Sequence, residues 1–450
     1  MLVPVTDSTT CDLLVLGGGM AGLSAAAWTV ANGGSVVLVE KGDLGGSAMR
    51  AGFIWTAPTY EALREAIPAG DPELARALID GFGPAIDWVR STGVEVQDPV
   101  TVLRFGRGHQ VMLPTYLHAC EVAIRQDPRS ELIVGGDAQR LIVEDGAVRG
   151  AQIRLPSGET RAIHAGHTLL ATGGFGGDPD LRAELIHPQA RELPLRANRF
   201  SRGDGLRLAR EAGAQFGPEN AGFYGHLMAT GVQLREEDEY AALSLFQSEH
   251  AVLFNLHGER FVDETVGDHL TTLALLEQPE ARGLLIHDQR AQDLLDTPYV
   301  EGILPTDFFA NVYRRGARAA IAHDVDELSY LPEEWGYDGE KIKRALLEFN
   351  RACAAGTVDP PRKHDAAPID RPPFYVVEAV PAITFTFGGL RIDTAARVLD
   401  EHDRPLEGLL AAGADAGGGY VRAYAGGLAW ALVFGLRAAQ TALQRQEVSA

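Results

Sequence analysis

The chain has 450 residues, of which 46% are hydrophobic and 22% charged, the balance of a globular protein with room for two domains. Its formal net charge of −21 argues against binding to nucleic acid and to anionic membrane surfaces, because both would repel it. No apolar run reaches the roughly 18 residues of a membrane-spanning helix, so we expect no membrane span.

The cysteines and the first residues bear on where the protein is located. Cys11, Cys120 and Cys353 are widely spaced and odd in number, which favours a reducing, cytoplasmic compartment. They indicate neither a disulfide framework nor a metal site, so we expect no metal. The opening stretch MLVPVTDSTT lacks a basic segment followed by an apolar one, and we therefore expect no signal peptide.

Residues 11–41 have the pattern of a complete β-α-β unit. DLLVL predicts a buried strand, AGLSAAAWTVANGG predicts a helix, and SVVLVE predicts a second strand ending at Glu40. Gly17, Gly19 and Gly22 have the G-x-G-x-x-G spacing, which lets a pyrophosphate approach the helix N-terminus. Glu40 is placed to accept hydrogen bonds from a ribose. The unit therefore predicts a dinucleotide cofactor.

Further glycine-rich segments decide which dinucleotide is expected. KGDLGGSAM follows the second strand, HTLLATGGFGG closes a later apolar strand, and EGLLAAGADAGGG lies near the end of the chain. Cofactor-type segments at both ends of one chain indicate a long, extended ligand, which fits FAD and not NAD alone. The sequence contains no second G-x-G-x-x-G unit, so we expect no separate NAD(P)H site.

Seven motifs follow one another in a characteristic order: the β-α-β unit, GGSAMRAG, LLATGGFGG, SRGDGLRLAREAGA, GERFVDE, FTFGGLRIDTAARVLD and GLLAAGADAGG. Over nearly its whole length the chain thus resembles the flavoprotein family of fumarate reductase and succinate dehydrogenase. YGHLMA, GERFVDE, LLEQP and YAGG are most similar to the branch of tricarballylate dehydrogenase and 3-ketosteroid dehydrogenases. The resemblance implies an α/β fold, in which a Rossmann-like FAD-binding domain of glutathione-reductase type is interrupted by an α+β capping domain, with the substrate between them.

Composition agrees with that division into domains. Residues 1–215 and 372–450 carry the cofactor-type segments and are expected to form the two parts of the FAD-binding domain. Residues 216–371 carry none, and they include charged, helix-like stretches such as PEEWGYDGEKIKRALLEFNRACAAG, so this part is the expected capping domain. The proline-rich DPPRKHDAAPIDRPP leads back to cofactor-type sequence.

The glycine-rich segments and the resemblance together imply a set of FAD contacts. Backbone groups of Leu428 and Ala429 are expected at the isoalloxazine ring, beside a helix that begins near Gly427. The family's acidic residue in the late glycine turn is Ala414 here, and Asp415 is expected to replace it. The remaining expected contacts are Gly17, Gly19, Gly22, Glu40, Lys41, Gly45, Gly46, Ser47, Ala138, Thr172, Gly173, Asp204 and Gly413.

The expected substrate residues depart from those of fumarate reductases, which clamp two carboxylates with arginines and histidines. His226 matches a substrate-binding histidine of the family, but Phe385 stands where a histidine is expected and Tyr424 where an arginine is. Losing a bidentate arginine is a large change for a carboxylate ligand, so we do not expect dicarboxylate reduction. The candidate substrate contacts are His226, Phe385, Arg422 and Gly427, and Arg422 equally fits a surface role.

Tyr424 has a precedent in the 3-ketosteroid dehydrogenases, where the resemblance implies a tyrosine that helps to abstract a proton beside a ketone. A phenol has a pKa of about 10, and we expect the nearby helix N-terminus to favour its phenolate. Asp268 or His226 is the candidate for a second acid–base group. The alternatives are that Tyr424 only stacks, that His226 is a structural histidine, and that Asp268 is a solvated loop acid.

The expected activity is that of a cytoplasmic, FAD-dependent oxidoreductase acting on CH–CH groups. It introduces or reduces a carbon–carbon double bond adjacent to a carbonyl, with hydride passing between a substrate carbon and flavin N5 and a tyrosine as acid or base. Its expected partners are a small carbonyl compound and an external electron donor or acceptor. A polycarboxylate enzyme of tricarballylate or fumarate type, and a flavin-binding protein without net redox turnover, remain the alternatives.

The flavin is predicted to be held without a covalent bond. Family members with covalent flavin carry a histidine in the GGSAM region, and this chain has none there. The purified protein should be yellow, and acid precipitation should release FAD into the supernatant. Flavin that remains with the pellet would contradict non-covalent binding, and a colourless protein that cannot be reconstituted would contradict the cofactor itself.

Overall fold

The structure is a computed structural model that describes residues 9–217, 220–235, 240–294 and 306–444. Most of the opening stretch on which the signal-peptide expectation rests, residues 1–8, lies outside the described residues. The chain divides into two compact units. The first unit comprises Met1–Ile186, Ala197–Gly222 and Phe385–Ala450, and the second comprises His187–Arg196 and Phe223–Thr384.

The described residues form strands and helices in an alternating order. The strands are β1 (Thr9–Leu16), β2 (Val36–Glu40), β3 (Phe53–Thr56), β4 (Val100–Val102), β5 (Gly106–Gln110), β6 (Glu131–Val134), β7 (Asp137–Glu144), β8 (Ala147–Arg154), β9 (Thr160–Leu170), β10 (Gly222–Ala229), β11 (Val252–Asn255), β12 (Gly283–Asp288), β13 (Ala319–Ala322), β14 (Phe374–Phe387), β15 (Arg397–Leu399) and β16 (Pro405–Ala411). The α-helices are α1 (Met20–Ala31), α2 (Tyr60–Ala66), α3 (Pro72–Ser91), α4 (Leu113–Gln126), α5 (Pro179–Leu185), α6 (Asp204–Glu211), α7 (Asp268–Leu276), α8 (Gln289–Leu294), α9 (Phe308–Arg314), α10 (Gly339–Ala355) and α11 (Gly427–Leu443).

A mainly parallel sheet organises the first unit. Its strands run in the order β15-β16-β9-β1-β2-β6, and β1 pairs in parallel with both β2 and β9. Leu13, Leu14 and Val15 of β1 are fully buried, as expected for a central strand covered on both faces. The carboxyl ends of β1, β9 and β16 lead directly into the glycine turns of the sequence, which is where parallel sheets bind ligands.

Small residues bring helices α1 and α11 close together. A Cβ added at Gly435 of α11 would lie only 2.6 Å from the carbonyl oxygen of Ala21 in α1, so this contact admits no side chain. Ala25 and Ala26 of α1 are fully buried as well. Close packing of this kind fixes both helices in the first unit, and with them the helix N-termini that start at the glycine turns.

The second unit contains a five-stranded sheet with the order β10-β14-β12-β11, and β13 pairs with β14. Strand β12 pairs antiparallel with β11 and β14, and β13 pairs antiparallel with β14. Successive residues along these strands alternate between two hydrophobic clusters. Leu253 and Val377 belong to one cluster, whereas Phe254 and Val376 belong to the other. Helix α10 packs on the second cluster and confirms the helix expected in the charged stretch.

The boundaries of the compact units differ from the expected domain limits of 216 and 371. Phe216 belongs to the first unit, where it bridges to Leu390. Most of β14, up to Thr384, belongs to the second unit, because it pairs there with β12 and β13. Residues 187–196 also join the second unit, and Arg196 donates its backbone N–H to the carbonyl oxygen of Ile383 over 2.7 Å.

The fold class nevertheless has the expected character. Parallel strands alternate with helices in the first unit, and an antiparallel sheet with helices forms the second. Across the described ranges, no helix is both long and apolar enough to cross a bilayer.

Candidate cofactor site and active site

The first glycine turn leaves open space at a helix N-terminus. A Cβ at Gly17 would overlap the carbonyl oxygen of Ala171, and one at Gly22 would overlap that of Gly17, so the protein's own packing requires both glycines. At Gly19, which precedes α1, a Cβ would meet no atom within 4 Å. A pyrophosphate fits such an open position, because the unpaired N–H groups of the first turn of α1 can bind it.

Glu40 lies at the end of β2, as predicted, and its carboxylate holds the turn. Its Oε2 accepts the N–H of Gly18 and its Oε1 accepts that of Gly42, each over 2.6 Å. Burial raises the pKa of Glu40, and these backbone hydrogen bonds oppose that shift. Each oxygen keeps a second lone pair, with which it can accept a ribose hydroxyl.

The segment after β2 lies against the same turn. Gly45 donates its N–H to the carbonyl oxygen of Gly18 over 2.8 Å, and a Cβ at Gly46 would be 3.7 Å from the Cα of Gly19. The hydroxyl oxygen of Ser47 accepts the N–H of Asn198 over 2.9 Å. The structure therefore brings the expected contacts Gly45 and Gly46 to the first glycine turn, and the next residue, Ser47, is held by Asn198.

Three more distant expected contacts have protein partners. Lys41 and Asp204 form an ion pair with an Nζ–Oδ2 distance of 2.8 Å. Ala138 lies in β7 and pairs with Ile153 of β8. Lys41 and Asp204 are 163 positions apart in the chain, and each was expected to contact FAD. The ion pair brings them together.

Asp415 joins the two later glycine turns. Its buried carboxylate accepts the N–H and, over 3.1 Å, the hydroxyl of Thr172, and also the N–H of Gly174 over 3.1 Å. Burial raises its pKa to about 6, although these hydrogen bonds lower it. Gly173 and Gly413 have φ angles of 94° and 67°, a backbone region that favours glycine. These expected contacts therefore form one connected loop structure.

The last glycine turn shapes the start of α11. A Cβ at Gly426, where φ is 92°, would overlap the carbonyl oxygen of Trp55, so a side chain cannot be accommodated. The Tyr420 hydroxyl lies 3.0 Å from the carbonyl oxygens of both Ala425 and Gly426 and donates to them. Leu428 is half-buried and Ala429 fully buried in the first turn of the helix.

Tyr424 lies in an aromatic cluster that consists of Trp55, Phe385, Phe387, Tyr420 and Tyr424. The ring centroids of Tyr420, Trp55, Phe385 and Phe387 lie 5.4, 5.7, 5.8 and 6.4 Å from that of Tyr424. Aromatic pairs at such distances stabilise one another beyond simple burial. The sequence analysis assigned Tyr424 and Phe385 but missed the other three rings. Phe387 and Tyr420 are each next to a glycine, which was the available signal, whereas Trp55 carried none.

The structure corrects the expected electrostatics of Tyr424. Burial raises the pKa of its phenol to about 12 and outweighs the hydrogen bond from the N–H of Gly427, which lowers it. The helix end thus acts in the expected direction, but desolvation of the phenolate is the larger effect. Tyr424 is therefore a neutral phenol at physiological pH, and its burial makes it a weaker acid than an exposed phenol.

Gly427 and Arg422, two candidate substrate contacts near Tyr424 in the chain, differ in how much of each is exposed to solvent. A Cβ at Gly427 would lie 2.8 Å from the ring of Phe385 and 3.0 Å from the Tyr424 hydroxyl, so glycine is needed there. Arg422 is exposed and has a φ of 56°, an unusual value for a residue with a side chain. Its surface position agrees with the alternative left open for it.

In the second unit the structure brings together the other two predicted catalytic residues. Asp268 begins α7, is only 1% exposed, and accepts from His226 with an Nδ1–Oδ2 distance of 2.7 Å. The alternative of a solvated loop acid is therefore wrong. The Nε2 atom of His226 lies 2.8 Å from the hydroxyl of Tyr224. Because Nδ1 carries the proton and donates it in the hydrogen bond to Asp268, Nε2 of the neutral ring accepts a hydrogen bond from the Tyr224 hydroxyl.

Burial makes this histidine neutral. It lowers the pKa of His226 more than the adjacent carboxylate of Asp268 raises it. Tyr224, His226 and Asp268 thus form a hydrogen-bonded chain in which the carboxylate fixes the tautomer of the imidazole. Tyr224 was not foreseen from the sequence, where its position two residues before His226 on a strand was the only signal.

Arg196 is a second unforeseen residue. It is 6% exposed, and its Nη1 donates to the hydroxyl of Thr384 over 2.8 Å. Burial lowers its pKa to about 10, although Tyr224 and Asp268 raise it. Within the described ranges, Arg196 has no ion pair with a carboxylate.

Comparisons with known proteins agree with this geometry. Residues 12–428 match the family model described as FAD binding domain. The chain is 27% identical to urocanate reductase of Eggerthella lenta, over 91% of the chain and 70% of the relative. It is also 27% identical to vinyl phenol reductase of Lactiplantibacillus plantarum, over 90% of each protein.

Two solved structures share the fold. A flavocytochrome c3 fumarate reductase matches with a TM-score of 0.73 and 22% identity, covering 98% of this chain and 79% of that one. The 3-ketosteroid Δ1-dehydrogenase of Sterolibacterium denitrificans matches with a TM-score of 0.78 and 18% identity, covering 97% and 100%. The expected fold and the resemblance to these enzymes are thereby confirmed.

Asp415 provides a test of the loop structure around the cofactor. Asp415→Ala leaves the N–H and hydroxyl of the half-buried Thr172 and the buried N–H of Gly174 without their acceptor, and each loss costs about 1–3 kcal/mol. We expect a lower thermal midpoint and a smaller FAD-to-protein ratio after gel filtration. The exposed Glu401→Ala serves as control and should match the wild type. An Asp415→Ala protein that retains FAD and melts with the wild type would contradict this role.

Proposed function

We propose that this chain, which belongs to the FAD binding domain family, reduces a carbon–carbon double bond conjugated to a carbonyl group of a small molecule. FAD is its cofactor. Its relatives and neighbours are named for urocanate, vinyl phenol and fumarate reduction and for 3-ketosteroid dehydrogenation. All of these reactions interconvert single and double carbon–carbon bonds, so the expected class of CH–CH oxidoreductase holds.

The glycine turns and helix ends fit the cofactor. Gly19 leaves the space that a pyrophosphate would fill, and Glu40 offers acceptors for a ribose. When bound, the flavin supplies hydride transfer at N5. The N-terminus of α11, at Gly427, would stabilise negative charge placed beside it.

The Tyr424 hydroxyl, which lies beside Gly427 at the start of α11 and within the aromatic cluster, is the observation that carries the proposal. Saturating a double bond conjugated to a carbonyl requires a proton as well as a hydride, and a phenol with a pKa of about 12 holds that proton at physiological pH. The N–H of Gly427 keeps the hydroxyl in one orientation and would stabilise the phenolate that forms. In the dehydrogenation direction the same group would first have to lose its proton.

The His226–Asp268 pair supplies a second candidate acid–base group. Asp268 fixes the tautomer of His226, and Tyr224 extends the chain of hydrogen bonds. Each group is buried, so protonation of His226 would depend on a charge brought by a ligand. We include this pair in the proposal as a second candidate for the acid–base group.

The proposal also covers the cellular location of the enzyme, its electron donor and the kind of substrate it accepts. The widely spaced free cysteines favour a cytoplasmic location, since Cys11 and Cys120 are buried in the first unit. The electrons come from an external donor. The polycarboxylate alternative requires a histidine where this chain has Phe385 and an arginine where it has Tyr424, and the aromatic cluster around them favours an apolar substrate body.

Tyr424→Phe tests the proton donor. The variant keeps the ring in the aromatic cluster and removes only the hydroxyl, so FAD content should stay at the wild-type level. The anaerobic rate at which a panel of enones and unsaturated acids reoxidises the reduced flavin should fall by about 10²- to 10⁴-fold. Tyr330→Phe, at a tyrosine that is 81% exposed, is the matched control.

The outcomes separate the alternatives. A Tyr424→Phe protein with wild-type rates would assign Tyr424 to packing and leave the proton to His226 and Asp268. Tyr424→Ala removes packing as well and should also weaken substrate binding. A wild-type flavin that no member of the panel reoxidises would favour a flavin-binding protein without redox turnover.

Fumarate and succinate should be poor substrates. Phe385 and Tyr424 offer no cationic group to a second carboxylate, and losing one partner of a buried charge pair costs about 3 kcal/mol, or roughly 10²-fold. We therefore expect kcat/KM for fumarate to be lower by at least about that factor than for the best neutral or monoacidic alkene. Efficient fumarate reduction would instead support the polycarboxylate alternative.

A further inference from the structure

The peptide group between Gly426 and Gly427 lies between two tyrosine hydroxyls of the first unit. The Tyr420 hydroxyl is 3.0 Å from the carbonyl oxygen of Gly426 and donates to it. On the other side of the same peptide group, the N–H of Gly427 donates to the hydroxyl of Tyr424. A Cβ at Gly427 would lie 3.0 Å from that hydroxyl, so the two groups are in close contact. One planar peptide group thus connects the two phenols.

Tyr420 is a neutral donor in a fixed position. It is buried, and burial raises its pKa well above the usual value for a phenol, so its hydroxyl keeps its proton. The same hydroxyl lies 3.0 Å from the carbonyl oxygen of Ala425. The ring centroid of Tyr420 lies 5.3 Å from that of Trp430 in the first turn of α11, and the indole N–H of Trp430 donates to the carbonyl oxygen of Gly413 over 3.1 Å. Tyr420 is therefore held between the last glycine turn and the helix.

The glycines on both sides leave the orientation of this peptide group weakly restricted by the backbone alone. Gly426 has a φ of 92° and cannot carry a side chain, because a Cβ would overlap the carbonyl oxygen of Trp55. Its carbonyl oxygen accepts from the Tyr420 hydroxyl and also from the N–H of Trp430, over 3.1 Å. The second bond is an ordinary helical one, whereas the first is additional. Donation to the carbonyl oxygen polarises the peptide group and makes its N–H a stronger donor.

We propose that Tyr420 is a positioning residue that acts through Tyr424. It holds and polarises the Gly426–Gly427 peptide group, and so it strengthens the hydrogen bond that stabilises the Tyr424 phenolate. The inference rests on the proposed function and names a further residue for the same reaction. There the O–H bond of Tyr424 breaks, the proton goes to the alkene carbon next to the carbonyl, and hydride reaches the other alkene carbon. The phenolate left behind keeps the electron pair and accepts from the N–H of Gly427.

Fluorine NMR on the oxidised holoenzyme tests this connection without turnover. The probe is 3-fluorotyrosine incorporated at position 424, which is more acidic than tyrosine and reports its ionisation through the fluorine resonance. Tyr420→Phe removes one hydrogen bond and keeps the ring, so it should lower the ionisation constant of the labelled phenol by about 2- to 10-fold. Tyr116→Phe is the matched control, because it removes an equally buried hydroxyl that contacts Ser24 and Trp88, and it should leave that constant unchanged.

Anaerobic kinetics test the consequence for the reaction. Tyr420→Phe should slow reoxidation of the reduced flavin by a saturating alkene by about 2- to 10-fold, and it should leave the half-saturating alkene concentration unchanged. In a Tyr424→Phe background the same substitution should have no further effect on the rate, because the group through which Tyr420 acts is gone. Tyr116→Phe should keep the wild-type rate.

The outcomes decide the two proposals separately. An unchanged ionisation constant in a Tyr420→Phe protein that retains FAD overturns the role of Tyr420, and so does an equal loss of rate with and without the Tyr424 hydroxyl. If Tyr420→Phe does not retain FAD, 3-fluorotyrosine at position 420 replaces it as a stronger donor of nearly the same size. This variant should raise the rate, and a rate at or below that of the wild type overturns the proposal. If no alkene reoxidises the flavin, the reaction class fails, whereas the fluorine titration still decides whether Tyr420 acts on Tyr424.

Discussion

The hydrogen bonds of Asp415 are the constraint on which the first unit depends. They tie the end of β9, at Thr172 and Gly174, to the end of β16, across 243 and 241 positions of sequence. Both turns open at the carboxyl edge of a parallel sheet, the place where such folds bind ligands. A carboxylate buried there is tolerable only because its donors are already in position, so the loops and the acid stabilise each other.

Local patterns in the sequence predicted much of this unit. The spacing of Gly17, Gly19 and Gly22 and the strand that ends at Glu40 each occupy a short window, and the structure places them as expected. The limits of the units could not be read in this way. Phe216 bridges to Leu390, and the stretch that ends at Arg196 pairs with Ile383, so contacts across more than 150 positions decide the assignment.

The candidate catalytic groups show the same division between local and tertiary information. The sequence placed Tyr424 before a helix N-terminus and correctly predicted that this end lowers the pKa of the phenol. The pKa is nevertheless raised overall, because burial has the larger effect. Trp55 and Phe387, which pack against the ring, come from distant parts of the chain. Asp268 could be located near a family position, yet its burial depends on packing. Arg196 carried no motif, and its burial near Tyr224 and Asp268 depends on residues distant in the chain.

The segmented construction of the first unit has a consequence for biogenesis. Its sheet and glycine turns need Phe385–Ala450, which the ribosome makes after the whole of Phe223–Thr384. The second unit is nearly continuous and can form as soon as that stretch emerges. The first β-α-β unit cannot complete its packing until β16 and α11 have been synthesised, and until then its glycine turn and apolar strands stay exposed. FAD insertion is therefore a late event, and the early chain is the species that most needs chaperone protection.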